Sequence, residues 1–241
     1  MKKQVKSGLW NSTFGEIGAT LKFLEDQGLS LEEMALLRSD KVLIQEVVKL
    51  IKSRTKIENS DILVVWHKIY REWFGANVDI SELQVPDTYN PEKHFLVLVA
   101  KGVTMNAVVT AMRKIFKVYL YTEDLGVGVT KNDRTTDGTY FVLFNRNIEA
   151  DEEFKNMSAD NLTKKGYQGI TLLERLLLEV LYFSETKKHL DINNWTLCSG
   201  SRFSEGGVPC VCWLSGGDGL SVSWCSSDCS RGDLRSRVVV S

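Results

Sequence analysis

Over the first third of the chain, apolar residues recur three or four positions apart; near its end they recur at every second position. In TFGEIGATLKFLEDQG, residues Ile17, Leu21 and Leu24 share a helical face. Thr13 and Glu16 form a capping box before them, and Gly28 supplies a stop. SLEEMALLRS repeats the box with Ser30 and Glu33. SDKVLIQEVVKLIKSR follows, with Ser39 or Asp40 as cap and Val42, Ile44, Val47, Val48 and Ile51 as the apolar stripe. Three such helices are expected to form a small bundle. A fourth is predicted over Val64 to Phe74, VVWHKIYREWF, and the stretch Asp79 to Pro91, with Pro86 and Pro91, reads as a connector.

The pattern then alternates between strand and helix. HFLVLVAKG, His94 to Gly102, is a strand of the buried type. TMNAVVTAMRKIF is a helix capped by Thr104, with Val108, Val109, Met112 and Ile115 on one face. KVYLYT is a strand candidate, and NDRTTDG is a turn before the strand Tyr140 to Phe144. ITLLERLLLEVLYFSETKKH carries a third capping box, Thr171 and Glu174, and Lys187 and Lys188 near its C-terminal end suit the helix dipole. Its leucines run almost all the way round, which predicts burial on most sides. Short strands and loops follow from Trp195. The order predicts an α+β fold. It has a helical N-terminal region over 1–78, a connector over 79–93 and a larger domain over 94–241.

Near the end, two tracts share one alternation. In VPCVCWL, Val211 and Trp213 alternate with Cys210, Cys212 and Leu214; in GLSVSWC, Leu220, Val222 and Trp224 alternate with Ser221, Ser223 and Cys225. Side chains alternate across a strand, so one face is large and apolar and is expected to be buried. SGGDG between the tracts supplies turn residues, so the pair is expected as a hairpin or as neighbouring strands, and LRSRVVVS reads as a closing strand.

Composition sharpens this picture. The 241 residues are 43% hydrophobic and 25% charged with a net charge of −1. That is ordinary for a globular chain and gives no electrostatic argument for nucleic acid or an anionic membrane. No apolar run approaches the ~18–20 residues that span a bilayer. The basic start MKKQVK lacks the apolar core of a signal peptide, so a cytoplasmic or virion-borne location is expected. Lys disappears after Lys188, and all five cysteines lie between Cys198 and Cys229. The outward positions hold Phe, Ser, Cys, Leu, Gly, Asp and Arg. All seven can be encoded by an asparagine codon changed in its first two bases. Met, Gln and Lys, which no pyrimidine-ending codon specifies, are missing there; Trp stays at inward positions and Glu205 is the one exception.

The block LCSGSR…VPxVxW…GLxVxW…LRSRVVV, preceded by GITLLERLLLEVLYF, resembles the variable proteins of diversity-generating retroelements, those of archaea, their viruses and candidate-phylum bacteria. In that family a template repeat is copied with mutation at adenines and written into the 3′ end of the gene. The receiving segment is a C-type-lectin fold that displays varied side chains to a ligand. The resemblance covers about His94 to Ser241, with the variable region about 198–241. It implies that Phe203, Ser204, Cys210, Cys212, Leu214, Ser215, Gly217, Asp218, Ser221, Ser223, Cys225, Ser226, Ser227, Asp228, Cys229, Ser230, Arg231 and Asp233 vary and contact ligand. Trp195, Arg202, Val211, Trp213, Leu220, Val222, Trp224, Leu234, Arg235 and Arg237 would form the fixed scaffold. The implied function is non-enzymatic binding of a variable ligand, foremost a protein surface, without cofactor or metal. The N-terminal helices, outside the shared fold, would dock to a larger assembly.

Cys210-x-Cys212 and Cys225-x3-Cys229 suggest zinc, but C-x-C departs from the usual spacing and no histidine stands nearby. A disulfide such as Cys212 with Cys225 would suit an exported protein. A thiol or metal enzyme on a related formylglycine-generating C-type-lectin fold is the alternative function, but it lacks a base at a recognisable spacing. Arg231-Gly232-Asp233 matches an adhesion tripeptide by chance, and Arg202, Arg235 and Arg237 are expected to clip loops to the scaffold.

Overall fold

The computed structural model describes residues 14–48, 61–80 and 83–240. Two units divide the chain, Met1–Asn59 and Ser60–Ser241. In the first, α1 (Phe14–Asp26) and α2 (Leu31–Ser39) are followed by α3 over 41–48. The Ser30–Glu33 capping box forms in both directions, at 3.2 and 2.8 Å, and Asp40 Oδ1 accepts from the Val42 and Leu43 N–H groups. The Thr13 cap and Ile51 lie outside the described residues. Among the described residues Leu21, Phe23, Leu36, Val42 and Val48 are exposed rather than packed in the expected bundle core.

The second unit is α+β. Helix α4 (Asp61–Phe74) belongs to it rather than to the first three helices. The reason is specific. Trp66 Nε1 donates to the Leu96 carbonyl at 2.8 Å, and Tyr70 Oη donates to the Leu98 carbonyl at 2.9 Å while accepting from Ala100 N–H. Both aromatics thus bury their polar tips with partners. They fix α4 on β1 (His94–Val99), which pairs antiparallel with β4 (Tyr140–Asn145). The N-terminal region expected over 1–78 therefore parts at 59/60.

Helix α5 (Met105–Met112) is capped by Thr104, as expected, and buries Val108, Val109 and Met112. It stops before Ile115, which is exposed instead of on the helix face. Then come β2 (Lys117–Leu120), a short α6 (Leu125–Gly128) capped by Asp124, and β3 (Val129–Asn132). After β4 lie a 3-10 turn (Glu152–Phe154), α7 (Ala159–Lys164), and α8 (Leu172–Thr186). Strands β5 (Trp195–Leu197), β6 (Ser201–Phe203), β7 (Val208–Leu214), β8 (Gly219–Cys225) and β9 (Leu234–Ser236) complete the unit. The main sheet has the order β2-β8-β7-β5-β9, and β3 pairs with β6 separately.

Helix α8 is the core element. Every residue from Leu172 to Tyr182 is buried, each leucine contributing roughly 1.5–3 kcal/mol. Two ion networks keep its charged residues inside. At the N-terminus, Glu174 completes the Thr171 capping box and accepts from Arg134 Nε and Nη2 at 2.6 and 2.7 Å and from Tyr140 Oη at 2.9 Å. The next residue, Arg175, pairs with Glu179 one turn on at 2.8 Å and with Asp191 at 2.9 Å. Asp191 also receives Arg237, the Thr196 hydroxyl and the Ala150 N–H. Arg237 donates onward to the Asn147 and Ile148 carbonyls, Arg202 to those of Ser199 and Ser201, and Arg235 to that of Ala150. Arg235 and Arg237 thus tie the 147–150 segment to the terminal strand, whereas Arg202 bonds within its own turn. Burial alone would raise the Asp191 carboxyl, but the Arg237 and Arg175 charges outweigh it and hold it below its usual range.

Candidate functional site

The β7–β8 pairing register divides the predicted residues between two faces. Val211 faces Val222, Trp213 faces Leu220 and Pro209 faces Trp224. On the opposite face Val208 meets Cys225, Cys210 meets Ser223, Cys212 meets Ser221 and Leu214 meets Gly219. The parity is the one read from the alternation, and the two tracts form the expected hairpin. Strand β2 extends the inner face with Val118 beside Leu220 and the outer face with Tyr119 beside Ser221. Val211, Leu220 and Val222 are fully buried, as is Leu234. Trp213 is half-buried, stacked on His189 and edge-on to Phe116; His189 Nδ1 lies 2.9 Å from Glu179.

Burial follows parity less closely. Cys210 and Cys225 are 2% and 9% exposed, although both lie on the outer face. Phe154, Ala159 and Leu162, from the 3-10 turn and α7, pack there with Leu197 and Leu234 and form a second small core. Cys212 and Phe203 are also buried. The expectation that these four are displayed to ligand is therefore corrected: they are packed against neighbouring segments. Trp224 departs in the other sense. Expected as an inner anchor, it is 42% exposed, resting on Gly207 and the Tyr121 ring. Trp195, also expected in the scaffold, is half-buried at the margin of the small core.

The rest of the outer surface is open in two stretches. At the hairpin tip Leu214, Ser215 and Asp218 are exposed and Gly217 is half-buried, and along β8 Ser221 and Ser223, opposite Cys212 and Cys210, are half-buried as well. Asp218 takes a left-handed φ of 48°, and Tyr119 Oη donates to the Gly217 carbonyl at 3.0 Å. A Cβ on Gly219 would meet the Tyr119 ring at 2.6 Å, so only glycine fits beneath that tyrosine. Beside the tip is an open cavity of about 400 Å³, lined by residues that include Asn193, Trp195, Cys212 and Leu214. The Glu149 carboxylate fixes its rim, accepting backbone N–H groups from Ile192, Asn193 and Asn194.

The second stretch is the loop after β8. Ser226, Asp228, Ser230, Arg231 and Asp233 are exposed, and Ser227 and Cys229 half-buried. Ser227 Oγ donates to Asp160 at 2.9 Å, and Arg231 pairs with Asp233 at 3.2 Å. Ser204 is exposed as well, apart from both stretches on the turn after β6.

The thiols are unbridged. Burial pushes Cys198 upward and Cys212 up to about 12. The contact between Cys210 and Cys225 raises the first and lowers the second. Among the described residues no three His, Cys, Asp or Glu side chains are grouped to hold a metal. None of the described helices is long and apolar enough to cross a membrane.

Sequence reasoning missed the cover over Cys210 and the role of Glu149, which stands among the acidic residues Asp151, Glu152 and Glu153 and has no local signal of its own. Asp191, the hub of the buried network, was also missed; its only local signal is that it follows directly on Leu190 at the end of the long helix segment. No family model, curated protein or solved structure matches this chain.

Proposed function

We propose that this is a non-enzymatic binding protein with a C-type-lectin-type fold, whose terminal hairpin carries a surface diversified by a retroelement. The observation that carries the reading is the β7–β8 register. It sets the anchors Val211, Leu220 and Val222 on one face and Leu214, Ser221 and Ser223 on the other. A strand pair held from beneath lets its outward side chains change at a cost usually within ~0.5 kcal/mol. The open set is Ser204, Leu214, Ser215, Gly217, Asp218, Ser221, Ser223 and the loop Ser226 to Asp233.

Short polar side chains dominate that set, so this variant offers few large contacts. Interfaces draw most of their energy from aromatic residues and arginine. Leu214, Arg231 and the neighbouring Tyr119 are the strongest groups available. A protein surface is the partner such a broad, shallow face suits. The exposed apolar residues of α1 to α3 would dock the chain to a larger assembly. The burial of Cys198, Cys210 and Cys212, with thiols pushed upward, favours a packing role for them over thiol catalysis.

The test is the neighbouring DNA. A reverse-transcriptase gene should lie near this gene, together with a near-copy of its segment for 203–233. Adenines should stand in the copy at codons for the open positions. A copy that differs instead at the Val211, Leu220 and Val222 codons would contradict the proposal.

A further inference from the structure

A separate cleft lies beside Trp224. The Tyr121 ring is 61% exposed; its centroid stands 5.6 Å from that of Trp224 at 62° and 6.0 Å from that of Phe203 at 69°. The three rings wall a cavity of about 140 Å³. That is roughly the liquid volume of four or five waters, room for a compact head group and little more.

Two glycines make the walls possible. A Cβ on Gly207 would come within 2.9 Å of the Trp224 ring, and one on Gly128 within 2.7 Å of Thr122 Cγ2 and 3.3 Å of the Phe203 ring. The turn that carries the mouth is fixed as well. Phe203 N–H donates to the Gly207 carbonyl at 2.7 Å, Gly206 N–H to the Phe203 carbonyl at 2.9 Å, and Ser204 N–H to the Gly128 carbonyl at 3.0 Å. Gly206 sits at φ +83°. Glu205 stands on this turn and lines the cleft, with no ion pair among the described residues; no Lys or Arg lines it.

We propose that this cleft binds an alkylated ammonium group, seated among Tyr121, Phe203 and Trp224 with Glu205 as its counter-ion. Aromatic faces are electron-rich and attract a cation lying within about 6 Å of the ring centroid. A quaternary ammonium suits them because its methyl groups bury apolar surface and its charge is weakly hydrated. A neutral group of the same shape would fill the space and leave the carboxylate unpaired. Tyr121, Gly128, Glu205, Gly207 and Trp224 lie outside the set of varied positions, while Phe203 and Ser204 lie within it. The inference concerns the cleft of this chain as it stands and needs no diversification.

The test is an NMR titration of the full chain, following the Trp224 indole N–H, assigned by its loss in Trp224→Phe. The probes are choline, a short peptide bearing trimethyllysine, and the neutral isostere 3,3-dimethylbutan-1-ol. A saturable shift with either cation is expected, with the alcohol about tenfold weaker or worse. The tighter of the two cations identifies whether a free small molecule or a modified side chain is the natural source. Glu205→Gln should weaken the cation about threefold or more, and Tyr121→Leu should abolish saturation, both with unchanged melting temperature. No saturable shift at tens of millimolar cation, equal binding of the alcohol, or full binding in both variants would each overturn the assignment.

Discussion

The two ends of the outer hairpin face have the same parity and opposite surroundings. At one end, Cys210 and Cys225 lie beneath Phe154, Ala159 and Leu162. At the other, Leu214 and Ser221 meet no such cover and border an open cavity or a tyrosine. Alternation within a strand says which side chains share a face; it does not say what another segment lays over that face. Tolerance to change should therefore be split along one strand, two residues apart, rather than between the strand's two faces alone.

The largest effect should come from beneath both ends. Asp191→Ala leaves the buried Arg175 and Arg237 guanidiniums without their shared carboxylate. Breaking a buried pair from one side costs roughly 3–5 kcal/mol, and urea unfolding should show the midpoint falling accordingly. If the loss were under about 1 kcal/mol, the network would not be what holds the sheet to α8 and both ends would need another support.

Next comes the covered end. Cys210→Leu adds volume under α7 and should destabilise by about 1–3 kcal/mol, read by the same unfolding curve. The matched change Ser221→Leu at the open end should stay within about 0.5 kcal/mol. Equal losses at the two sites would erase the comparison.

Acid sharpens it further. With its folded carboxyl below the usual value of 3.8, Asp191 contributes its stabilisation fully above that pH. The contribution drains away as pH falls further and the folded carboxylate takes up its proton. Asp151 works in the opposite sense, its carboxyl pushed up by burial. Asp151 therefore adds stability as pH falls from its raised folded value toward 3.8, a rise that Asp151→Asn should lose, whereas the loss below pH 3.8 should largely vanish in Asp191→Asn, both followed by stability against pH. The smallest effect is expected for Ser223→Arg and Arg231→Ser, each within about 0.5 kcal/mol by thermal melting.

Much of this was written in the sequence as local periodicity. The Thr171–Glu174 box and the surrounding leucines announced α8 and its burial, and the Val211/Val222 parity announced the two faces. What was hidden depends on distant segments. Helix α7 is six residues, ADNLTK, with only Ala159 and Leu162 to bury, too short a pattern to separate from a loop. Yet it decides the fate of Cys210. Strand β3 is four residues whose pairing with β6 rests on no alternation of its own. Ile115 fits the α5 periodicity and still falls outside, because the helix ends at Met112. Trp224 keeps its inner parity, but the sheet's inner cover does not reach it.

The most direct test is a paired library. One half is fully randomised at Leu214, Ser221, Ser223 and Arg231, the other at Cys210 and Cys225, and both are sorted for protease resistance. The first should keep its fold with charged, aromatic and small residues alike, while the second should return only small apolar ones. Equal tolerance in the two halves, or collapse of the first, would contradict the account.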